Sequence, residues 1–420
     1  MAFGYTFTLP TITGSHTNFP VVFKNADFPS AAIGTSGDAL ANGGGDLRAY
    51  TDSTKGTQLS VDVVKFVTGA SPSVVVWIKI PTAATSNTIY VEADAVATTQ
   101  PAVGASFGRD SVWTDYEAVL HLRESGNGTA GEFVDSTGNG HDGQLTTGTS
   151  ISTVTTAHPF DDEWPDFTTA EAITLASSTA LVNNTAFTMS CWVNIDADSN
   201  TVGLFGSRNS ANDTNWAQLQ ASERVFTKGD TTENLADSAG RATAVSILVT
   251  ATQNTSNLRL YSDATNIATD SSVTSGESIA SDQSFRIGTY FDNAGSRRLD
   301  GQTCEMRVRQ SVLSGDWITL EEDNQSAAVA WGTVGSWADT GASAALTGTA
   351  TATITETDIT DGGKTIIVTL TGDTFKAAGT GPIGSTADTQ ALIDGFDAAS
   401  SPTNGWNNEV RDKALTSEVV

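Results

Sequence analysis

The chain is poor in the residues that disulfide frameworks and structural metal sites require. It has two cysteines, Cys191 and Cys304, and four histidines in 420 residues. The cysteines form no Cys-x-x-Cys pair and the histidines have no metal-ligand spacing, which excludes a disulfide-rich scaffold and a zinc ribbon. Both cysteines have apolar company in their strands, so we expect two buried thiols. A disulfide is the alternative, because the two strands that carry them can be neighbours.

Positive charge is also scarce. The chain has 21 Lys and Arg against 48 Asp and Glu, a formal net charge of -27. Binding to nucleic acid or to an anionic membrane surface needs a basic face, so we expect neither partner. No apolar run approaches the roughly 20 residues that span a bilayer, so no membrane insertion is expected. Residues 1–6 do not begin a cleaved signal sequence, which predicts synthesis in a cytoplasm and a soluble product.

Catalytic motifs are incomplete or missing. Residues 92–94 and 356–358 both read Glu-x-Asp, which begins the acidic motif of sandwich glycosidases, but the closing glutamate is absent. Glycoside hydrolysis needs a pair of carboxylates in defined roles. Neither a Gly-x-Ser-x-Gly motif nor a phosphate-binding loop is present. We therefore predict that the protein is not an enzyme.

What the chain does contain is typical of β structure. Only 16% of its residues are charged, while Thr, Ser, Ala, Gly and Asn are abundant. Short runs with alternating apolar positions are separated by Gly, Asn and Pro turn signals, which predicts an all-β protein. Predicted strands include residues 73–81, 88–92, 111–122, 187–195 and 303–309. Pro81 is expected to end the first of these, since it donates no ladder hydrogen bond. Ser314 is predicted to cap a helical turn that begins the segment 313–323.

Composition divides the chain into tandem units. We predict an N-terminal β-sandwich over residues 1–103 and a second sandwich over residues 104–325. Residues 326–348 are rich in Ala, Ser, Gly and Thr, as linkers are. The last unit, residues 349–420, combines a hairpin signal with a short helix predicted at residues 386–399.

Three stretches, taken in order, resemble the motifs of laminin-G-like (concanavalin A-like) β-sandwiches. They are the loop Asp-Ser-Thr-Gly-Asn-Gly-His-Asp-Gly at residues 135–143, the strand Phe-Thr-Met-Ser-Cys-Trp-Val at residues 187–193, and the segment at residues 301–314. The resemblance covers residues 105–325 and implies a jelly roll that binds glycans or proteins. In the last segment, Cys304 replaces the usual Asp before Glu305, which weakens an acidic ligand at that position.

Other segments resemble proteins of tailed bacteriophages, marine ones especially. Residues 1–103 are similar to a domain of unknown function that precedes laminin-G-like domains, and residues 112–119 at the join fit the same arrangement. Residues 405–413 resemble an immunoglobulin-like end module of phage structural proteins.

These resemblances imply a structural protein of a virion, either a capsid decoration or part of a tail fibre or spike. Its expected partners are other virion proteins, further copies of itself, and host-surface glycans, which it would grip through many weak contacts. Two alternatives stay open: a bacterial cell-surface or secreted adhesin, and a polysaccharide-degrading enzyme.

The loop at residues 135–143 is the candidate metal site. Asp135, Asn139 and Asp142 supply the oxygen atoms that a hard cation such as Ca²⁺ prefers. The alternative is a tight turn, in which Gly and Asn adopt positive φ. No other cofactor is expected.

The candidate ligand-binding residues are Trp216, Glu305, Arg307 and Arg309. Alternation places Glu305, Arg307 and Arg309 on one face of a strand, opposite Cys304, Met306 and Val308. If that face is exposed, the arginines suit an acidic glycan or a carboxylate-bearing partner. The alternative is pairing with nearby Asp and Glu. Trp216 follows a polar loop and is a candidate platform for a sugar ring.

Overall fold

The computed structural model describes residues 3–155, 160, 163–168, 171–178, 181–182, 186–196, 203–207, 216–220, 224–229, 232–237, 243, 245–273, 284–289 and 298–339. The side chains of residues 155, 216–218, 220, 224–229, 232–235 and 237 lie outside that description. Residues 1–340 form one compact unit. The predicted C-terminal module and its helix, residues 349–420, lie outside the described residues.

The N-terminal part is a sandwich of two antiparallel sheets. Its strands are β1 (Phe3–Thr8), β2 (His16–Lys24), β3 (Leu47–Tyr50), β4 (Ser60–Val67), β5 (Ser73–Ala83) and β6 (Thr88–Ala93), with a short helix α1 (Ser30–Ile33) and 3-10 turns at Asn25–Asp27 and Asn42–Gly44. One sheet has the order β1-β6-β3 and the other β2-β5-β4. Their inner faces meet in a core where the rings of Phe7 and Phe23 are 4.7 Å apart.

The second part is a larger sandwich with sheets of eight and seven strands. Its elements are α2 (Arg109–Val112), β7 (Ala118–Leu120), β8 (Gly143–Thr147), β9 (Thr153–Thr155), β10 (Glu163–Thr168), β11 (Ala172–Leu175), β12 (Phe187–Ile195), β13 (Gly203–Gly206), β14 (Trp216–Gln220), β15 (Arg224–Gly229), β16 (Thr232–Asp237), β17 (Ile247–Gln253), β18 (Leu258–Ser262), β19 (Thr265–Asp270), β20 (Arg286–Ile287) and β21 (Asp300–Arg309). The eight-stranded sheet has the order β19-β18-β17-β12-β21-β10-β9, with β7 also pairing with β21, and the other has the order β16-β15-β14-β13-β20-β11-β8. For the described residues, the prediction of an all-β fold with β-sandwiches is confirmed.

A 12-residue helix and two short strands follow the second sandwich. Helix α3 (Gly315–Ser326) begins after Ser314, whose hydroxyl accepts a hydrogen bond from the Trp317 N–H at 3.2 Å, as the sequence predicts. Strands β22 (Thr333–Val334) and β23 (Ala338–Asp339) then pair with β1 at the edge of the first sheet.

The described residues differ from the predicted domain boundaries at two points. The described residues of the predicted linker, 326–339, return to the N-terminal sheet instead of leading away from it. A Cβ atom added at Gly332 would lie 2.3 Å from the Thr8 carbonyl oxygen, so only glycine allows this close docking. The second sandwich is inserted between strands of the first, and the predicted boundary after residue 103 does not separate two compact units.

Two strand predictions also differ from the structure. Strand β5 continues through Pro81, because β4 stops pairing with it at Lys79 and the missing N–H of Pro81 is not needed by that neighbour. Residues 111–122 form the end of α2 and the short strand β7. The chain turns between these elements, where the Tyr116 N–H bonds to the Trp113 carbonyl at 2.8 Å.

The second sandwich packs against the outer face of the β2-β5-β4 sheet. Along β5, Val74, Val76 and Ile78 enter the N-terminal core, while Val75 and Trp77 belong to the core cluster of the second sandwich. Alternate residues of a strand point to opposite faces of the sheet. The β2-β5-β4 sheet is thus buried on both faces, which places its outer face at a junction between the sandwiches.

A buried charged junction as the candidate functional site

Charged side chains from both sandwiches meet at this junction. Asp62 comes from β4, His121 follows β7, Glu305 and Arg307 come from β21, and Glu321 comes from α3. We call these five residues the junction network. Each is at most 7% exposed, so all of them are removed from solvent.

His121 is the residue that bridges the two sandwiches. Its Nε2 lies 3.0 Å from Asp62 Oδ2 in the first sandwich, and its Nδ1 lies 2.9 Å from both carboxylate oxygens of Glu305 in the second. Because a carboxylate accepts and does not donate, both ring nitrogens must donate, which requires the doubly protonated imidazolium. Trp113 Nε1 donates a further hydrogen bond to Asp62 Oδ2 at 2.8 Å.

Arg307 neutralises the other side of the network. Its Nη2 donates to Glu305 Oε2 at 2.8 Å and its Nη1 donates to Glu321. The guanidinium lies over two indole rings, 4.2 Å from the centroid of Trp77 and 5.0 Å from that of Trp113. A buried arginine held by two carboxylates and two aromatic faces has little freedom to bind another molecule.

A backbone irregularity directs Glu305 into the junction. The pairing of β21 with β12 shifts register between Ser190 and Trp192, and Glu305 has a φ of 51°. A β-bulge with one residue in the left-handed region re-aims the side chains near it. Met306 and Val308 keep their places in the core, as alternation predicts.

The pKa values follow from this arrangement. Burial favours the neutral form of His121, but the charge of Glu305 and the hydrogen bonds to Asp62 and Glu305 outweigh it and raise the pKa of His121 to about 9. Burial likewise disfavours the charged form of Glu305, yet His121, Arg307 and Arg123 lower the pKa of that carboxyl to about 2. Near neutral pH Glu305 is therefore ionised and faces three cations: His121, Arg307 and Arg123, whose Nη2 lies 3.3 Å from Glu305.

The helix α3 adds hydrogen bonds that join the same elements. The side chain of Asn324 accepts from the Val22 N–H at 2.8 Å and donates to its carbonyl at 3.1 Å, so it continues the pairing of β2. Gln325 accepts from Trp192 Nε1 at 2.6 Å and donates to Glu321 at 3.2 Å. The arrangement is suited to holding two sandwiches together, since all its charges are paired and buried.

This geometry corrects the prediction of an exposed binding face on β21. Glu305 is 1% exposed and Arg307 is 2% exposed, so neither can form a surface patch. The alternative, pairing with acidic residues, is what the structure contains. Arg309 lies at the rim, where its Nη2 is 3.4 Å from Asp115 and its side chain is 17% exposed.

The loop at residues 135–143 fits the tight-turn interpretation. The Asp135 carboxylate accepts hydrogen bonds from the backbone N–H groups of Val119, Thr137 and His141, all at 3.1 Å. Asn139 donates its side-chain amide to the Glu117 carbonyl at 3.0 Å, and Asp142 accepts from the Asp135 N–H at 2.7 Å. These oxygen atoms stabilise the loop, and within the described part of the chain no group of three or more His, Cys, Asp or Glu is placed to hold a metal ion.

Two further predictions concern Trp216 and the cysteines. Trp216 begins β14 and its backbone pairs with Lys228, but its side chain lies outside the described residues, so a sugar platform there stays a prediction. Cys191 and Cys304 are both buried and are not joined in a disulfide, which confirms the expectation of two thiols.

Sequence reasoning missed His121 and Asp62. His121 lies in a run of apolar residues, Val119, Leu120 and Leu122, that are fully buried. A histidine within such a run needs a buried partner, and that signal was available. The identity of the partner was not, because Asp62 is 59 residues away and Glu305 is 184 residues away.

A two-sheet jelly roll with a closing strand of this kind defines the class of lectin-like β-sandwiches. In agreement, residues 167–319 match a laminin-G family model described as the concanavalin A-like lectin/glucanases superfamily. The matched segment is less than half of the chain and lies within the predicted second domain. The sequence resemblance to this family is confirmed over that segment. No curated protein matches the chain.

Three solved structures resemble part of this chain at low sequence identity. Domain 4 of a GH43 extracellular arabinanase from Geobacillus stearothermophilus, in complex with arabinotriose, is 15% identical with a TM-score of 0.38, over 49% of this chain and 99% of that one. The binding domain of botulinum neurotoxin serotype D is 13% identical with a TM-score of 0.33, over 49% and 51%. A Trypanosoma rangeli sialidase is 12% identical with a TM-score of 0.36, over 50% and 33%. The chain thus spans about half or less of the toxin domain and the sialidase.

Proposed function

We propose that this chain is a non-enzymatic structural protein exposed on a bacteriophage virion, as a capsid decoration or as part of a tail fibre or spike. Its lectin-like sandwich adheres to host-surface glycans or to partner proteins. The phage assignment rests on the resemblance of residues 1–103, 112–119 and 405–413 to phage proteins.

One structural observation carries the mechanical half of this proposal. The two sandwiches are joined by the junction network and by the return of β22 and β23 to β1, so residues 1–340 act as one compact body. A compact body of this kind can present a binding surface in a fixed direction. Multiple copies on a particle then convert weak single contacts into firm adhesion.

The non-enzymatic half is supported by the state of the acidic residues. Glu305 and Glu321 are buried and held by Arg307. Glu92, which begins the incomplete glycosidase motif, is 2% exposed and pairs with Lys55 at 2.6 Å. These carboxylates are held in ion pairs, and adhesion through the surface does not require them to meet a substrate.

Within the described residues, no helix is both long and apolar enough to cross a membrane.

Cryo-electron microscopy of particles that carry the protein tests the proposal. Density for the two joined sandwiches over the icosahedral shell makes it a capsid decoration, and density on the tail makes it a fibre or spike component. Absence from every particle contradicts the virion assignment and favours the cellular adhesin. A parallel assay for sugars released from host polysaccharide tests the non-enzymatic assignment, since release by the purified chain contradicts it.

A further inference from the structure

Four polar atoms at the rim of the junction are buried without a hydrogen-bond partner among the described residues. They are Tyr116 Oη, Arg307 Nε, Arg309 Nη1 and Glu321 Oε2. Buried polar atoms in folded proteins are almost always bonded to protein or to ordered water, so each such atom calls for a physical explanation. Four such atoms in the same region suggest that one explanation applies to all of them.

The four side chains are neighbours. The guanidinium carbon of Arg309 is 5.5 Å from the centroid of the Tyr116 ring. The Trp113 ring lies between Tyr116, at 5.4 Å, and the guanidinium of Arg307, at 5.0 Å. Arg307 in turn donates to Glu321 through its Nη1. All four unpartnered atoms therefore belong to one continuous group of packed residues.

The electrostatic environment of the Tyr116 hydroxyl agrees with this placement. Burial, followed by the charge of Glu321, raises the pKa of Tyr116 well above its usual range, while Arg307 and Arg309 act in the opposite direction. The hydroxyl is thus within electrostatic range of the other three groups.

Charge balance selects the kind of molecule that fits. Arg307 is matched by Glu305 and Glu321, and Arg309 is matched by Asp115 at 3.4 Å. An added anion would face these carboxylates, and an added cation would face the two arginines. The unpartnered set contains the donors of two arginines and a hydroxyl together with one carboxylate acceptor. A small neutral molecule that both donates and accepts hydrogen bonds satisfies such a set, and water does so best.

We propose that Tyr116, Arg307, Arg309 and Glu321 form a binding site for ordered water at the rim of the junction. Water molecules in this site accept from the arginines and the tyrosine, each accepting at most two hydrogen bonds, and donate to Glu321. They extend the junction network outward to Arg309, which is 17% exposed and connects the site to solvent. This hydrated rim is a structural component of the interface and is independent of any ligand that the protein binds.

The first test is a high-resolution crystal structure of the whole chain. We expect a solvent peak within hydrogen-bond distance of Tyr116 Oη and Glu321 Oε2. A direct bond between these two side chains, with no solvent peak, overturns the proposal. Crystals soaked in bromide or rubidium extend the test, because an anomalous peak at the site would show that it takes an ion and not water.

The second test compares Tyr116→Phe with Tyr5→Phe. Tyr5 is also buried, but its hydroxyl donates directly to the Asp27 carbonyl at 2.8 Å. A hydrogen bond through water is nearly as favourable as a direct one, so both variants should raise the unfolding equilibrium constant, each by about fivefold. A dry site predicts the opposite for Tyr116→Phe, since losing an unsatisfied hydroxyl leaves that constant unchanged or lowers it. Such a result, with Tyr5→Phe behaving as expected, also overturns the proposal.

Discussion

The imidazolium of His121 donates a hydrogen bond to Asp62 at 3.0 Å across the boundary between the two sandwiches. Its other nitrogen donates to Glu305 within the second sandwich. One side chain thus bridges two buried carboxylates that belong to different sheets. The predictions below follow from that arrangement and from the docking of the segment after α3.

Replacement of His121 by Asn should destabilise the protein strongly. The variant keeps a polar side chain but leaves Asp62 and Glu305 buried without their shared cation, which costs on the order of 3–5 kcal/mol. Urea unfolding of residues 1–340 in the full chain measures the free energy. His16→Asn is the matched control, because its ring bonds to a backbone carbonyl at 3.0 Å and it should lose only about 1 kcal/mol. Equal losses in both variants would contradict the bridging role.

The same pair predicts how stability depends on pH. The pKa of His121 is raised to about 9, so its stabilising contribution is complete below its unfolded value of about 6.5 and is lost as pH rises through 9. The pKa of Glu305 is lowered to about 2, so its contribution is complete above its unfolded value of about 4.3 and is lost as pH falls towards 2. Maximum stability is expected between these limits, at about pH 5 to 6.

The loss of stability at alkaline pH can be used to measure the contribution of His121 alone. Between pH 6 and 9.5 the wild-type chain should lose about 3 kcal/mol through this residue, while His121→Asn should lose much less over the same range. Urea midpoints measured in parallel at both pH values give the difference. If the two proteins change by the same amount, another group causes the alkaline loss.

Arg307 and Arg309 should differ sharply in their effect on stability. Arg307→Met leaves Glu305 and Glu321 buried without their common partner and should cost about 3–5 kcal/mol. Arg309→Met removes a half-buried ion pair with Asp115 and should cost about 1 kcal/mol or less. Thermal or urea unfolding of both variants provides the comparison. A stable Arg307→Met variant would mean that the arginine is not held in the network.

Local pattern was enough to predict some elements of this fold but not the junction. The alternation in residues 187–195 and the cap at Ser314 depend on near neighbours, and both predictions are confirmed. The same alternation gave the wrong environment for Glu305 and Arg307. It identified a polar face but could not show that another sheet, one that begins near residue 16, covers that face. Composition misled in the segment after α3, because the glycines that favour a linker also allow close docking on β1.

The turn at Asp135 should respond to mutation and not to calcium. Asp135→Ala removes the acceptor for three backbone N–H groups and should cost about 2–3 kcal/mol, since those groups are left unsatisfied. Calcium that bound only the folded state would raise the melting temperature. Since the loop oxygens already accept backbone hydrogen bonds, we expect millimolar calcium or a chelator to leave the melting temperature of the wild-type chain unchanged. A calcium-dependent rise that Asp135→Ala abolishes would establish the metal site instead.

The docking of residues 332–335 on β1 gives the most direct test of the inserted topology. Gly332→Ala places a Cβ atom 2.3 Å from the Thr8 carbonyl oxygen, so the segment must shift and the sheet must lose part of its edge. We expect a loss of about 1–3 kcal/mol, the range for overpacked sites. Gly315→Ala is the matched control: nothing lies within 4 Å of its Cβ position, and it begins α3, where alanine is neutral or favourable. Both variants are compared by urea unfolding followed at the tryptophans. If Gly332→Ala is as stable as Gly315→Ala, the segment after α3 does not dock on the first sheet in solution, and the second sandwich is not an insertion within the first.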